Sequence, residues 1–196
     1  MRNLCFLLGW FLPLLTGCAA EFESADPVDV EGADSALTAT VDEPRPPGPH
    51  SVVFRQSAGI DADVATIWNL LVDLNGYQDW NPWVVWAEGE AFPGAQVFVD
   101  VVMGKKTMRA EHTVLAVDPE QRFCWKDAGW NAKFVYGQRC RWLTVKDDGR
   151  VLFEQELLLD GALAGVSALF YGHALRDGMA AETVALKDYA EDLQTR

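Results

Sequence analysis

Histidines are the residues of this chain best suited to acid–base chemistry, because an imidazole titrates near neutral pH. His112 shares one face of an alternating segment with Met108 and Val114, and these apolar neighbours indicate that the face turns inward. There His112 could act as a general base or as a polar anchor for a ligand, although a histidine hydrogen-bonded within a core is the simpler expectation. His173 lies near a glycine-rich bend where a cavity could open, and His50, in a proline-rich stretch, is expected to be inert.

No other group of residues has the spacing of a catalytic or metal site. Glu154 and Glu156 stand two apart in an alternating segment, so their side chains share one face. That face is opposite Phe153 and Leu157, which indicates a solvated pair rather than two catalytic carboxylates. Three scattered histidines form no metal motif, and no Gly-x-Ser-x-Gly, P-loop or dinucleotide fingerprint occurs. We therefore expect no metal and no cofactor.

Residues 1–17 have the pattern of an export signal, with an apolar run over residues 4–15 that is too short to span a bilayer comfortably. The motif Leu15-Thr16-Gly17-Cys18 resembles the lipobox of bacterial lipoproteins, which implies cleavage before Cys18 and diacylation of its thiol. The alternative is an ordinary secretory signal with an incidental cysteine. Ala19 stands where lipoproteins kept at the inner membrane often carry aspartate, so the resemblance implies the outer membrane, if the source has one.

Residues 18–50 predict a solvated tether between this anchor and a folded domain. They carry eight acidic residues and one arginine and end in a proline-rich run, so they cannot bury enough apolar surface to fold. Residues 51–196 hold 21 acidic and 14 basic residues, a net charge of −7. This charge argues against a nucleic-acid partner and against electrostatic docking on anionic lipid, whereas membrane attachment through Cys18 needs no basic surface.

Two cysteines, Cys124 and Cys140, lie in the folded part. In an exported protein a disulfide between them is one outcome. Alternation favours the other outcome, because Phe123 and Trp125 should face inward and turn Cys124 outward, whereas Cys140 alternates with Trp142 and should face inward. Neighbours on opposite faces of a sheet cannot be bridged.

The elements that position these residues begin with a strand and a short helix. Asp61 is a good N-cap candidate, and the helix carries an apolar stripe at helical spacing, formed by Val64, Ile67, Trp68, Leu71 and Leu74. Seven segments have the pattern of strands: 52–58, 83–86, 96–103, 108–117, 122–126, 134–146 and 151–159. A long helix over about residues 163–194 closes the chain, with a bend or break between Gly172 and Gly178.

On these residues the chain resembles the START-like (SRPBCC) superfamily, in its polyketide cyclase/dehydrase-like branch. The resemblance covers about residues 52–193 and rests on Gly59-Ile60-Asp61-Ala62, Ile67-Trp68 and Tyr77-x-x-Trp80-Asn81-Pro82 around the first helix. It implies an α+β helix-grip fold, in which a curved antiparallel sheet of six to seven strands wraps around a long C-terminal helix with an apolar cavity between them. Members of the superfamily bind lipids, sterols, polyketides, quinones or aromatic compounds, and a minority catalyse cyclisation or dehydration.

We therefore expect an envelope-anchored protein whose domain, residues 51–196, binds a small or medium hydrophobic molecule such as a lipid, polyketide or aromatic compound. Polar groups on His112, Gln155 and Thr144 would orient this molecule. The candidate ligand-binding residues are Trp83, Val99, Met108, His112, Trp125, Cys140, Trp142, Phe153, Gln155, Phe170 and His173. Two alternatives stay open, a cyclase/dehydrase-type enzyme that uses His112 and a protein-interaction module on the cell envelope with a filled core.

Overall fold

One curved antiparallel sheet and one long helix form the architecture of the domain. The computed structural model describes residues 42–129, 132 and 134–196. The sheet has seven strands in the order β1-β7-β6-β5-β4-β3-β2, with every neighbouring pair antiparallel. Its strands are β1 (Val52–Ile60), β2 (Val84–Gly89), β3 (Gln96–Met103), β4 (Lys106–Asp118), β5 (Arg122–Asp127), β6 (Tyr136–Val145) and β7 (Val151–Asp160). The predicted α+β helix-grip architecture is confirmed.

Two short helices and a 3₁₀ turn connect β1 to β2. They are α1 (Val64–Val72), the 3₁₀ turn (Leu74–Gly76) and α2 (Tyr77–Trp80). The predicted apolar stripe of α1 is buried at Ile67, Trp68 and Leu71. The N-cap is Asp63 rather than Asp61, and the Asp63 backbone N–H donates to the side chain of Gln194, so α1 starts two residues later than predicted.

The turn after α2 sets the entry of the second strand. Asn81 Oδ1 accepts hydrogen bonds from the backbone N–H groups of Trp83 and Val84, at 3.0 and 2.8 Å. Since Pro82 has no N–H of its own, the helical conformation cannot continue through this point. The side chain of Asn81 thereby places Trp83 immediately before β2.

The C-terminal helix, α3 (Ala164–Gln194), runs for 31 residues without the predicted break at Gly172 or Gly178. Both glycines lie where another side chain comes close to the helix. A Cβ on Gly172 would lie 3.3 Å from the ring of Phe54, and a Cβ on Gly178 would lie 2.2 Å from Nε1 of Trp83. These glycines therefore serve close packing, and the cost of two glycines in a helix interior is offset by contacts.

Side chains on the concave face of the sheet form the main core with α1 and α3. On β4 the predicted inward face is confirmed at His112 and Val114. A β-bulge between Val114 and Ala116 then reverses the alternation. Ala116, which alternation alone places beside His112, therefore packs on the convex face with Leu115.

A disulfide joins Cys124 and Cys140, which are directly paired across β5 and β6 with a Cα–Cα distance of 4.2 Å. The expectation that Cys140 and Trp142 face inward is wrong. Both lie on the convex face with Cys124, Leu115 and Ala116, and the inward positions of β6 belong to two arginines. The Cys124 side chain faces outward as predicted, and its partner does too.

Part of the predicted tether contacts the domain. The backbone N–H of Arg45 donates to Gln138 Oε1 and the Arg45 carbonyl accepts from Gln138 Nε2, at 2.7 and 3.1 Å. Asp42 forms an ion pair with Lys126, whose hydrogen bond and positive charge lower the pKa of Asp42.

The predicted export signal, the lipobox and most of the predicted tether lie outside the described residues. Within those residues, no helix is both long and apolar enough to cross a membrane.

Candidate functional site

A cavity of about 720 Å³ lies between the concave face of the sheet and the N-terminal half of α3. Apolar side chains form most of its wall. From the sheet come Trp83, Val84, Phe98, Val101, Met103, Met108, Ala110, Trp125, Leu157 and Leu159, and from α3 come Tyr171 and Leu175. Val101, Met103, Met108 and Ala110 take the inward positions that a period of two predicts for β3 and β4. Phe98 has the opposite parity in β3 and is partly exposed.

His112 and Asp127 form the polar pair on this wall. His112 Nδ1 lies 3.2 Å from Asp127 Oδ1, and the imidazole stacks on Trp125 with ring centroids 5.1 Å apart and an interplanar angle of 5°. Gly137 on the neighbouring strand leaves room for this carboxylate, since a Cβ there would lie 2.1 Å from Asp127 Oδ2. Stacking on Trp125 orients the imidazole at the edge of the cavity. Its Nδ1 atom lies near the carboxylate but has no hydrogen-bond partner among the described residues, so it is placed where a general base or a hydrogen-bonding anchor would act.

Four of the residues expected to bind a ligand line this cavity: Trp83, Met108, His112 and Trp125. Val99 and Phe153 face the same side of the sheet but lie in the closed core, where neighbouring side chains fill the space. The remaining strand positions lie elsewhere. Cys140 and Trp142 are on the convex face, and Thr144 is exposed near the end of β6.

Phe170 and His173 lie on α3 and point to solvent. Phe170 is 74% exposed, and the His173 side chain is 86% exposed and forms an ion pair with Asp177 one helical turn away. The same helix contributes Tyr171 and Leu175 to the cavity wall instead. The helical position of the cavity-facing stripe is therefore shifted by one to two residues from the predicted one.

Sequence reasoning missed a buried charged cluster at the inner end of the cavity. Arg139 and Arg141 on β6 are 4% and 0% exposed, and Glu182 on α3 is also fully buried. Arg139 Nη2 donates to Glu182 Oε2, and Arg141 Nε lies 3.5 Å from Glu182 Oε1. One carboxylate is thus shared between two guanidinium groups.

Aromatic rings lie against both guanidinium groups of this cluster. The Cζ atom of Arg139 lies 4.5 Å from the ring centroid of Trp83, and that of Arg141 lies 4.2 Å from the ring centroid of Trp125. A cation above the face of an indole is attracted by the ring quadrupole, and desolvation strengthens this attraction. Two residues of the cavity wall therefore also hold the charged cluster.

Gln155 links the cluster to α3. Its Oε1 accepts from Arg139 Nε at 3.0 Å, and its Nε2 donates to the Met179 carbonyl and to Thr183 Oγ1 at 3.0 and 2.7 Å. Gln155 faces inward as predicted, but it does not line the cavity. Its amide holds the Arg139 side chain in place, so it positions a wall residue.

Burial changes the proton affinity of the cluster and of the neighbouring Tyr77. Loss of hydration and the charge of Arg141 lower the pKa of Arg139 to about 10, against the attraction of Glu182. Burial likewise raises the pKa of Tyr77 to about 12, and its hydroxyl donates to the Leu71 carbonyl at 2.7 Å. Near neutral pH, Arg139 is charged and Tyr77 is neutral.

One feature of the sequence could have indicated this cluster. Met179, Thr183 and Leu186 form the buried stripe of α3, and Glu182 falls within it. A carboxylate inside an apolar stripe needs a partner, because an unpaired buried charge is costly. Arg139 and Arg141, two apart on β6, supply that partner. Among the described residues, no group of three or more His, Cys, Asp or Glu side chains is arranged to hold a metal ion.

The fold and sequence of the chain are similar to those of known proteins. The sequence profile described as polyketide cyclase/dehydrase and lipid transport matches residues 51–191. The Zhui aromatase/cyclase from Streptomyces sp. R1128 superposes with a TM-score of 0.60 at 18% identity, covering 72% of this chain and 94% of that one. No curated protein matches the sequence significantly.

Two further solved structures have a similar fold. A START superfamily protein from Mycobacterium smegmatis has a TM-score of 0.55 at 15% identity, covering 72% of this chain and 98% of that one. Major latex-like protein 151 from Panax ginseng has a TM-score of 0.60 at 13% identity, covering 71% and 97%. At these identities the likeness establishes the shared fold.

Proposed function

We propose that this chain, which belongs to the polyketide cyclase/dehydrase and lipid transport family, binds a hydrophobic small molecule in the cavity between its sheet and α3. The observation that carries the proposal is the cavity itself, about 720 Å³ with a mostly apolar wall. Burial of apolar ligand surface there contributes roughly 25 cal/mol per Å² before the costs of association. A lipid, a polyketide or an aromatic compound has the required character.

Native mass spectrometry of the chain purified gently from its source tests this proposal. The expected result is one equivalent of a co-purifying hydrophobic molecule, which would also identify the ligand class. Repeated absence of any bound molecule, together with failure to bind the neutral fluorophore N-phenyl-1-naphthylamine, would contradict it. Such a result would favour the protein-interaction module.

A cavity-filling variant makes the test specific for the site. Ala110 lines the cavity from β4. The indole of Ala110→Trp should fill volume that the ligand would occupy, so that the ligand buries less apolar area. Binding of the fluorophore should weaken at least about tenfold. Thr113, on the opposite face of the same strand, bonds with the Gln96 side chain. Thr113→Trp should leave binding unchanged.

We also propose that the domain is attached to the cell envelope through a lipidated Cys18, preferentially at the outer membrane where the source has one. The disulfide between Cys124 and Cys140 supports export, because such bonds persist in oxidising compartments. Membrane fractionation tests the anchor: the protein should sediment with membranes, and Cys18→Ser should release it. Continued sedimentation of the Cys18→Ser variant with the membranes would contradict the lipid anchor.

A second function, catalysis of a cyclase/dehydrase type, is favoured by the geometry of His112. The carboxylate of Asp127 lies against Nδ1 and Trp125 fixes the ring plane, an arrangement that suits proton transfer to or from a ligand. His112→Ala should then abolish turnover of a β-polyketone substrate while leaving its affinity nearly intact. If binding alone is the function, the same variant lowers affinity modestly and there is no turnover to lose.

A further inference from the structure

The charged cluster at the inner end of the cavity carries more positive than negative charge. Arg139 and Arg141 are both buried, and Glu182 is the single carboxylate that forms an ion pair with either guanidinium among the described residues. The cluster therefore has a formal charge of +1. In a region of low dielectric such an excess is unfavourable unless another anion approaches.

Arg141 is the arginine of the cluster whose side-chain hydrogen-bond donors lack partners in the described part of the chain. Its Nε, Nη1 and Nη2 atoms are buried, and none of them has a hydrogen-bond partner among the described residues. Glu182 Oε1, at 3.5 Å from Arg141 Nε, also lacks a hydrogen-bonding geometry. Glu182 is instead drawn to Arg139 through its other oxygen. The carboxylate thus satisfies one guanidinium at the expense of the other.

Arg139 is the member of the cluster that reaches the cavity. It lines the wall, and its Nε and Nη2 atoms are held by Gln155 and Glu182. The Nη1 atom donates to none of the described residues. Trp83 covers one face of the guanidinium. Nη1 is therefore the guanidinium nitrogen of this wall residue that neither Gln155 nor Glu182 engages.

We infer that the ligand of this cavity carries an oxyanion, such as a carboxylate or an enolate, which binds Arg139 at the inner end while the rest of the molecule contacts the apolar wall. This inference rests on the proposed binding function. An oxyanion on Arg139 would supply the missing negative charge and form a charge-assisted hydrogen bond. It would also free Glu182 to pair with Arg141, so that two guanidiniums face two anions.

The remaining acidic groups on the wall do not fill this role. Asp127 lies against His112, and Glu111 forms no ion pair with Arg139 or Arg141. The surface of the domain is acidic overall, with a net charge of −7 over residues 51–196. The net negative charge of the domain repels anions, so a preference for an anionic ligand would have to come from the buried arginines.

A matched pair of fluorophores tests the inference on the full chain. N-phenyl-1-naphthylamine is neutral, and 8-anilinonaphthalene-1-sulfonate has the same ring skeleton with an added sulfonate. The anionic probe is expected to bind roughly tenfold more tightly, because a buried charge-assisted hydrogen bond to Arg139 should outweigh the cost of removing the sulfonate from water. Equal affinities would overturn the inference and leave the proposed function standing, whereas no binding of either probe would contradict the proposed function itself.

Two variants assign the preference to Arg139. Arg139→Gln should reduce the affinity ratio of the two probes to near one. Arg55→Gln removes the same charge from an exposed side chain that pairs with Glu156 on the edge strand, and it should keep the wild-type ratio. The inference would be overturned if both variants reduced the affinity ratio equally, or if Arg139→Gln left the ratio unchanged.

A measurement on the wild-type protein covers the case in which Arg139→Gln fails to fold. A buried pair is screened by salt much less than surface charges are. The affinity ratio of the two probes should therefore persist when the ionic strength is raised to about 1 M, where the Debye length is about 3 Å. A ratio that falls to one in high salt would attribute the preference to surface attraction and overturn the inference.

Discussion

Gly178 on α3 lies directly against the indole of Trp83, so that a Cβ on this glycine would be 2.2 Å from Trp83 Nε1. Real side chains do not approach so closely, and Trp83 is itself fixed by Asn81 at the entry of β2. The contact brings the helix and the cavity wall together. It also places the Trp83 ring where the Arg139 guanidinium covers it.

We expect Gly178→Ala to destabilise the protein by about 1–3 kcal/mol, because the methyl group overpacks a rigid ring. The measurement is the free energy of unfolding in urea. Gly165, near the start of the same helix, has open space around it, so Gly165→Ala should be neutral or stabilise by up to about 1 kcal/mol. If both variants have the same stability, the close approach of Trp83 to α3 is wrong.

Removal of the disulfide should lower stability substantially. The bond closes a loop across 16 positions between Cys124 and Cys140, and a loop of this size is worth about 3 kcal/mol of stability in the chain-entropy description. The double variant Cys124→Ala/Cys140→Ala should therefore unfold at a lower urea concentration, and reduction of the wild-type protein should reproduce most of the shift.

Peptide mass spectrometry is the control for that experiment. In the unreduced, denatured protein, neither Cys124 nor Cys140 should react with an alkylating reagent, and both should react after reduction. Alkylation of both cysteines before reduction would contradict the disulfide between β5 and β6.

Glu182→Gln should be among the most destabilising substitutions in the domain, at about 3–5 kcal/mol, because it leaves two buried guanidiniums without a counter-charge. Arg139→Gln should cost less, since Arg141 and Glu182 remain as a neutral pair. Thermal and urea unfolding of both variants provide the comparison. Glu154 is exposed on β7, and Glu154→Gln should change stability by no more than about 0.5 kcal/mol; a similarly small effect at Glu182 would contradict the cluster.

The parts of the fold that the sequence predicted are those specified by local periodicity. The apolar stripe of α1 and the alternation in β4 up to Val114 each depend on neighbours a few residues away. Periodicity placed Met108, His112 and Trp125 on the inward face, where they line the cavity, but it could not distinguish them from Val99 and Phe153, which face inward into the closed core. The β-bulge between Val114 and Ala116 interrupts the period, so the predicted orientation of Ala116 toward the face of His112 was wrong.

The inward face of β6 could not be assigned in the same way. Cys140 was expected to face inward because it alternates with Trp142, and that alternation puts Arg139 and Arg141 on the opposite face. The structure reverses this assignment because Glu182, more than 40 residues later, supplies a counter-charge and the disulfide buries the apolar face. A charge pairing over such a sequence distance has no local periodic signal.

Tyr77 should make the protein less stable as the pH rises through the alkaline range. Burial raises the pKa of its hydroxyl to about 12 in the folded protein, whereas an unfolded tyrosine titrates near pH 10. Between these values the folded state retains a proton that the unfolded state has lost. The contribution of Tyr77 is therefore complete below about pH 10 and is lost at about 1.4 kcal/mol per pH unit as the pH rises toward 12.

The comparison with Tyr77→Phe isolates this contribution from other groups. Arg139 acts in the opposite direction at high pH, because its lowered pKa lets the folded state lose a proton first, and its effect is common to both proteins. The measurement is the difference in the free energy of unfolding between wild type and Tyr77→Phe from pH 9 to pH 11. This difference should shrink as the pH rises, since only the wild type has a phenol that burial keeps protonated. A constant difference would show that Tyr77 ionises as easily in the folded protein as in the unfolded chain, and would contradict its burial beside the charged cluster.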